Sequence, residues 1–170
     1  MVIIFSNRKN KLLNEITEIL TVCGADFISD KTVNSADGHF TVFVTFKAIE
    51  IKIKKGIALI LDDTEKYNEQ ILPFGVLGIC ESTNIKAIEI FERNKTQVIT
   101  CGNNHKNTFT LSSINENDWV ITLQRVIEDI NGKTLYPADY KINIEKKYSC
   151  DAVLISLAIL LLNGIEPKEF

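Results

Sequence analysis

A short polar loop joins the first apolar run of the sequence to its first amphipathic segment, where a phosphate-binding loop would lie. The apolar run Val2–Phe5 predicts a buried strand, and the segment from Asn10 to Cys23 predicts a helix that ends at Gly24. The loop between them, Ser6–Lys11, contains no glycine. Phosphate loops use glycine because their backbone N–H groups must turn toward the anion without a Cβ in the way. The loop therefore predicts either a divergent anion site or one that has been lost.

Six polar residues near the expected carboxyl ends of parallel strands form a candidate ligand site. Open α/β sheets bind small molecules at this edge, because the strand ends and the following loops meet there. Each residue also has a structural alternative: the lysines suit solvated loops, the aspartates suit a turn, and the last asparagine suits a helix N-cap. The candidates are Asn7, Lys9, Lys11, Asp62, Asp63 and Asn84.

The cysteines predict neither a metal site nor a catalytic centre. All four are far apart in the sequence, no C-x-x-C pair occurs, and there are only two histidines. Isolated cysteines of this kind are most often small buried side chains. Cys101 and His105 leave a Cys–His pair as an alternative, although the Gly-Asn-Asn between them is typical of a turn. We therefore expect no catalytic residue and no metal ligand.

Length and composition favour a single domain over residues 1–170. The chain has 45% hydrophobic residues and a formal net charge of −3, so it can bury a core and has no basic excess for nucleic acid or anionic membranes. The longest apolar run, Ala152–Leu162, is shorter than the ~20 residues of a membrane span. With no signal peptide expected, these features predict a cytoplasmic protein that binds neither nucleic acid nor membrane.

The order of the predicted elements favours an α/β fold with a mainly parallel sheet and flanking helices. A strand–helix–strand unit with a right-handed crossover is expected between residues 75 and 100. From 108 to 144 the pattern changes to period two, and Asn131-Gly132 predicts a two-residue hairpin turn, which together indicate a small antiparallel section. The expected strands are 2–5, 26–29, 40–46, 49–54, 56–61, 75–79, 97–100, 108–113, 119–127 and 133–144, and the expected helices are 10–23, 84–93 and 149–163.

The closing segment Tyr148–Pro167, which ends in Asn-Gly-Ile-Glu-Pro, resembles the final helix of the central ATPase domain of the Mur ligases. In these ATP-dependent amide-forming enzymes an alanine-rich helix ends in Leu-Gly-Ile-x-Pro. The strand-rich stretch Trp119–Ile144 and the strand ends at Cys80–Asn84 and Thr100–Gly102 follow the family's order, and the opening strand, loop and helix match its phosphate-loop unit in register. The resemblance covers nearly the whole chain. It implies the P-loop-NTPase-type topology of the UDP-N-acetylmuramoyl peptide ligase and folylpolyglutamate synthase superfamily.

The motifs that carry chemistry in that family are degenerate here. The family loop Gly-Thr-x-Gly-Lys-Thr/Ser supplies a lysine for the β- and γ-phosphates and a hydroxyl for Mg²⁺. In this sequence Lys11 matches the lysine, Asn10 replaces the glycine and Leu12 replaces the hydroxyl. The family's metal-binding glutamate falls near Thr45, and the short stretch 64–73 lacks the family's histidine. Further replacements are Cys80 and Ser82-Thr83 for the family's Asn and Asp-Asp, and Tyr148-Ser149 for its His-Asn.

These departures imply a shortened, degenerate Mur-ligase-like domain and disfavour an active ATP-dependent ligase. The separate substrate and closing domains of the family do not fit in 170 residues. Whether the chain is an enzyme is left open, with a non-catalytic role favoured. One hypothesis is a protein-interaction or regulatory role with a protein partner or a homodimer, and the other is a divergent nucleotide or small-ligand binder that uses the six candidates. No cofactor is expected, and ATP with Mg²⁺ would require divergent contacts.

Overall fold

A ten-stranded sheet forms the centre of the molecule in the computed structural model, which describes residues 1–7, 9–29, 32–35, 38–62, 65–115, 118–144 and 148–170. The strands of this sheet lie in the order β12-β9-β8-β7-β6-β5-β1-β4-β2-β3, and β10 pairs with β11 in a separate two-stranded sheet. The strands are β1 Val2–Phe5, β2 Ala25–Ser29, β3 Val33–Asn34, β4 Phe40–Thr45, β5 Gly56–Ile60, β6 Val76–Glu81, β7 Val98–Cys101, β8 Phe109–Ile114, β9 Asp118–Leu123, β10 Ile127–Glu128, β11 Thr134–Leu135 and β12 Ala138–Asn143. The helices are α1 Lys11–Val22, α2 Ile85–Arg93 and α3 Cys150–Leu162, and Glu65–Tyr67 forms a 3₁₀ turn.

The parallel part of the sheet confirms the predicted fold class. Strand β1 lies inside this part, parallel to β4 on one side and to β5 on the other, with Val2 opposite Val42 and Ile57. Strands β2, β6, β7 and β8 extend the parallel pairing outward. Because β1 and β5 are buried on both faces, every residue of these strands is buried, which explains their continuous apolar sequences.

The predicted antiparallel section is also present, with shorter strands than expected. Strand β9 pairs with β8 and β12, and a register shift between Leu111 and Ser113 interrupts the β8–β9 ladder. The prediction of single strands over 119–127 and 133–144 was wrong, because each run is divided between two strands. The prediction of a two-residue hairpin turn at Asn131-Gly132 was also wrong. The carboxylate of Asp129 accepts hydrogen bonds from the backbone N–H of Asn131 (2.7 Å) and Lys133 (2.9 Å), and so organises a wider turn between β10 and β11.

Two apolar cores lie on opposite faces of the sheet. Helices α1 and α3 cover the larger core, and α1 contributes its buried stripe of Leu13, Ile16, Ile19 and Leu20. Helix α2 covers the smaller core with Ala87, Ile90 and Phe91. Gly78 permits this close packing, since a Cβ there would lie 2.7 Å from the Phe91 ring. The molecule therefore has three layers, with the sheet between the helices.

Helix α3 is apolar on all sides because it is buried between α1 and strands β6–β8. The predicted caps are confirmed: the Ser149 hydroxyl accepts the backbone N–H of Ala152 at 3.3 Å, and Gly164 ends the helix with a φ of 79°. The Ser156 hydroxyl is buried without a hydrogen-bond partner among the described residues. In the part of the chain that the structure describes, no helix is long and apolar enough to cross a membrane.

The predicted strand over residues 49–54 is absent, and this prediction was wrong. The segment runs over the smaller core, against which the half-buried Ile49, Ile51 and Ile53 pack. The buried side chain of Gln70 takes the place of a strand partner, since its amide accepts from the Ile49 N–H and donates to the Ile49 carbonyl, each at 2.9 Å. The alternating sequence therefore reflects one-sided packing of an extended segment.

Candidate functional site

The loop after β1 is held against the end of the sheet by its own backbone and by a buried tyrosine. The backbone N–H of Ser6 donates to the Thr45 carbonyl at 3.1 Å, which continues the β1–β4 ladder. The hydroxyl of Tyr67 donates to the Ser6 carbonyl at 2.9 Å. The Tyr67 ring packs edge-on against Phe5, and burial and the nearby Asp62 charge raise the pKa of Tyr67. The tyrosine therefore stays a neutral donor that fixes the start of the loop.

The N-terminus of α1 is already capped by a side chain of this chain. The Asn10 side-chain carbonyl accepts hydrogen bonds from the backbone N–H groups of Leu12 (2.9 Å) and Leu13 (3.4 Å). Its amide group donates to the Asp62 carboxylate at 3.0 Å. Phosphate loops offer such helix N-terminal donors to the anion. Here Asn10 takes two of them, and Asp62 adds a negative charge beside them.

The residues at the family's metal positions do not fit magnesium. Leu12 is half-buried and packs against the larger core. The Thr45 hydroxyl donates to the Lys47 carbonyl at 2.9 Å, so it serves the backbone of its own turn. Over the described residues, no three His, Cys, Asp or Glu side chains come together as a metal site. An ATP–Mg²⁺ complex held as in the Mur ligases therefore does not fit these side chains.

The structure separates the six sequence candidates. Asn7 and Lys9 lie together on the wall of a cavity. Lys11 points away from it, with an 89% exposed side chain 3.4 Å from the Glu15 carboxylate. Asn84 is the N-cap of α2, accepting the Ala87 N–H at 2.9 Å and donating to the Ile60 carbonyl at 3.3 Å. Asp62 accepts from the Asn10 amide as described above, and Asp63 lies outside the described residues.

A cavity of about 620 Å³ opens at the carboxyl ends of β1 and β4. We call it the lysine cavity. Its apolar wall consists of Phe43, Val44, Phe46 and Ile49. Its polar lining consists of Asn7, Lys9, Thr45, Lys47 and Lys66.

Positive charge dominates the polar lining of the lysine cavity. Lys9 extends from the loop after β1, Lys47 from the turn after β4 and Lys66 from the 3₁₀ turn, so three separate elements converge. The Lys66 ammonium lies 5.5 Å from the centroid of the Tyr67 ring. None of the described lining residues is acidic. Chemically, this arrangement can attract an anion and offer apolar contact to the rest of the molecule.

Sequence reasoning missed several residues of this cavity. Lys47 and Thr45 follow β4 at its carboxyl end, so the strand-end rule applied to Asp62 could also have identified them. Lys66, which lines the cavity, and Tyr67, which holds the neighbouring loop, carried no such signal. Both belong to a turn that is remote from the loop in sequence and meets it only in the folded chain.

The neighbouring strand ends carry no reactive thiol. Cys80 and Cys101 are buried on adjacent strands, and burial raises the pKa of Cys80 to about 12, with the Glu81 charge contributing. Burial likewise raises the pKa of Cys101 well above the ordinary value. Burial and the charge of Asp151 raise the pKa of Glu81. Because thiolates are the reactive form, Cys101 is a poor nucleophile, and a Cys–His pair gains no support.

The three-layer architecture, with β1 between β4 and β5 in a parallel sheet and an antiparallel extension beyond β8, is a Mur-ligase-like α/β fold. Among solved structures, the chain is similar to a murein peptide ligase, Mpl, from Psychrobacter arcticus 273-4, with 12% identity and a TM-score of 0.58. The match covers 97% of this chain and 44% of that one.

A second similar structure is the UDP-N-acetylmuramate:L-alanyl-γ-D-glutamyl-meso-diaminopimelate ligase (MPL) from Neisseria meningitides. It is 11% identical, with a TM-score of 0.58, and the match covers 98% of this chain and 62% of that one. The chain thus spans less than two thirds of either ligase. No protein-family model matches the sequence, and no curated protein matches it significantly. At these identities the similarity concerns the fold.

Proposed function

We propose that this chain is a non-catalytic binding protein that holds a small anionic ligand in the lysine cavity. The observation that carries the proposal is the convergence of Lys9, Lys47 and Lys66 on one cavity with an apolar wall and no described carboxylate. The volume of about 620 Å³ is within the range of small-molecule sites. The three lysine side chains are exposed, so their attraction for an anion is electrostatic and sensitive to salt, while the apolar wall offers contact to the rest of the ligand.

The capped helix and the leucine at the family's metal position favour a role without ATP-dependent ligation. Asn10 already occupies α1 N–H groups that a phosphate would need, and the half-buried Leu12 packs against the larger core. The proposal therefore includes no metal and no nucleotide cofactor. A cytoplasmic location is part of it, because Cys80 and Cys101 are free buried thiols, as is usual in reducing compartments.

The lysine cavity should bind a fluorescent anion. The fluorescent anion 1-anilinonaphthalene-8-sulfonate should bind at low ionic strength with EDTA present, and Lys47→Ala or Lys9→Ala should weaken its affinity about three- to tenfold, because each removes one charge-assisted contact. Raising the salt from about 0.05 to 0.5 M should weaken binding, because the lysines are near solvent. Fluorescence titration, checked by calorimetry, measures these affinities.

Two further variants separate this site from other surfaces. Lys141→Ala removes a lysine that pairs with Asp118 on the antiparallel section, so it should leave the affinity unchanged. Lys11→Ala should also have no effect, since Lys11 lies outside the cavity. Dye affinity in the Lys9→Ala and Lys47→Ala variants that equals the wild-type affinity would contradict the proposal. A requirement for Mg²⁺ together with loss of binding in Lys11→Ala would instead point to a working phosphate loop.

Protein interaction is a second candidate function, and the exposed apolar residues between the 3₁₀ turn and β6 favour it. Phe74 is fully exposed and Ile71 is 77% exposed, three residues apart on the same segment. Large apolar side chains in this position are costly to leave in water and are typical of contact surfaces. We propose a second copy of this chain as the partner.

A further inference from the structure

A second cavity adjoins the lysine cavity on its apolar side. This helix cavity, of about 300 Å³, lies between α1 and the edge strands. Its apolar lining consists of Leu13, Phe27, Ile28, Val44 and Phe46, and its uncharged polar lining consists of Asn14, Thr17, Thr21, Ser29, Thr32 and Asn34. None of its described lining residues is charged. The charge of the combined region is therefore concentrated at one end.

The two cavities share part of their walls. Val44, near the end of β4, and Phe46, just beyond it, line both cavities. Val44 is buried and Phe46 is half-buried, so the Phe46 ring forms part of the partition between the cavities. A ligand longer than the lysine cavity would pass Phe46, which borders both cavities, to reach the helix cavity.

The two threonines that α1 contributes to the helix cavity make its α1 wall more apolar than their residue type indicates. The hydroxyl of Thr17 donates to the Leu13 carbonyl and the hydroxyl of Thr21 donates to the Thr17 carbonyl, each at 2.7 Å. Since these hydroxyls are satisfied within their own helix, a group without hydrogen-bonding atoms can lie against them without leaving them unpaired.

From this arrangement we propose that the ligand is a single-chain anionic amphiphile, with its anionic head among Lys9, Lys47 and Lys66 and its aliphatic tail in the helix cavity. The inference rests on the proposed anion site and adds the class of ligand. Charge complementarity places the head, and the shared Phe46 wall gives the direction of the tail. The ligand is a free amphiphile, taken up as a monomer.

The test uses butanoate, hexanoate, octanoate and decanoate below their micelle concentrations, as competitors of the fluorescent anion. For wild-type protein, affinity should rise about fourfold for each added CH₂ that is buried. Thr17→Phe fills the helix cavity from α1. In this variant octanoate and decanoate should bind no more tightly than hexanoate, and the affinity for butanoate should be unchanged. The matched control is Val22→Phe, which adds the same side chain to an exposed position of α1 outside both cavities and should preserve the gain.

The outcomes separate this inference from the proposed function. Affinity that is independent of chain length, or a gain that persists in Thr17→Phe, would overturn the amphiphile inference while lysine-dependent dye binding still supports the anion site. Failure of both the dye and butanoate to bind would overturn the two together. Cosedimentation with phosphatidylglycerol vesicles should be absent at physiological salt, and binding to vesicles but not to the free carboxylates would show a membrane surface instead.

Discussion

At the scale of single residues, Tyr67 connects the smaller core to the loop that borders the lysine cavity. Its ring is fully buried against Phe5, while its hydroxyl reaches the Ser6 carbonyl. Because Ser6 is also buried, this carbonyl has no ready access to water. The hydrogen bond therefore contributes both to stability and to the position of Asn7 and Lys9, which follow Ser6.

The Tyr67→Phe variant should be less stable than wild type by about 1–3 kcal/mol, since it leaves a buried carbonyl without this donor. Urea denaturation measures the change. Tyr136→Phe provides the control, because Tyr136 is 70% exposed, and it should change stability by less than about 0.5 kcal/mol. Equal stabilities for Tyr67→Phe and wild type would show that water or another group satisfies the Ser6 carbonyl.

At the scale of secondary-structure elements, Glu15 joins α1 to the start of α3. Its carboxylate accepts hydrogen bonds from the backbone N–H of Ser149, at 3.0 Å, and from the Ser149 hydroxyl. Lys11 lies 3.4 Å from the other carboxylate oxygen. The Ser149 hydrogen bonds lower the pKa of Glu15. One side chain thus satisfies an N-terminal group of a helix that is 134 residues distant in sequence.

Glu15→Gln should destabilise the protein by about 1–2 kcal/mol at pH 7, because the charge-assisted hydrogen bonds are lost. A lowered folded-state pKa means that Glu15 stabilises the fold above its unfolded pKa and loses this effect as pH falls through the folded pKa. The difference in the free energy of unfolding between wild type and Glu15→Gln should therefore decrease as the pH is lowered below about 4. Denaturation curves at several pH values test this.

Glu92→Gln is the matched control for the effect of Glu15→Gln on stability. Glu92 lies exposed on α2, so its replacement should have little effect at any of these pH values. A difference in stability between wild type and Glu15→Gln that does not depend on pH would contradict the role of the Glu15 charge.

At the scale of the whole molecule, the sheet has its helices on both faces, yet Phe74 and Ile71 are not covered by either layer. If a second copy covers them, wild-type protein should sediment as a dimer at micromolar concentration, and Phe74→Ser should shift it to monomer. Val126→Ser is the control, since it removes another exposed apolar residue, 55% accessible, from a different part of the chain. A wild-type protein that is monomeric at all concentrations would contradict the homodimer proposal.

The order of elements could be predicted because it depends on local patterns. Continuous apolar runs identified β1 and β5, and helical spacing of Leu13, Ile16 and Ile19 identified α1. Asn84 and Ser149 were identified as caps because the capping interaction lies within a few residues of the helix start. The same reasoning wrongly predicted a strand over 49–54, because one-sided packing of an extended segment on a core produces the same alternation of apolar residues without strand pairing.

The sequence by itself determined the fold class and the absence of the usual phosphate-loop residues, because both follow from residue types at short spacing. Only the tertiary structure decided which polar residues share a cavity. It separated Lys9 from Lys11, two residues away in the chain, because the first lies in a loop and the second on the outer face of a helix. It also joined Lys9 with Lys47 and Lys66, because parallel strands bring distant strand ends to one edge of the sheet.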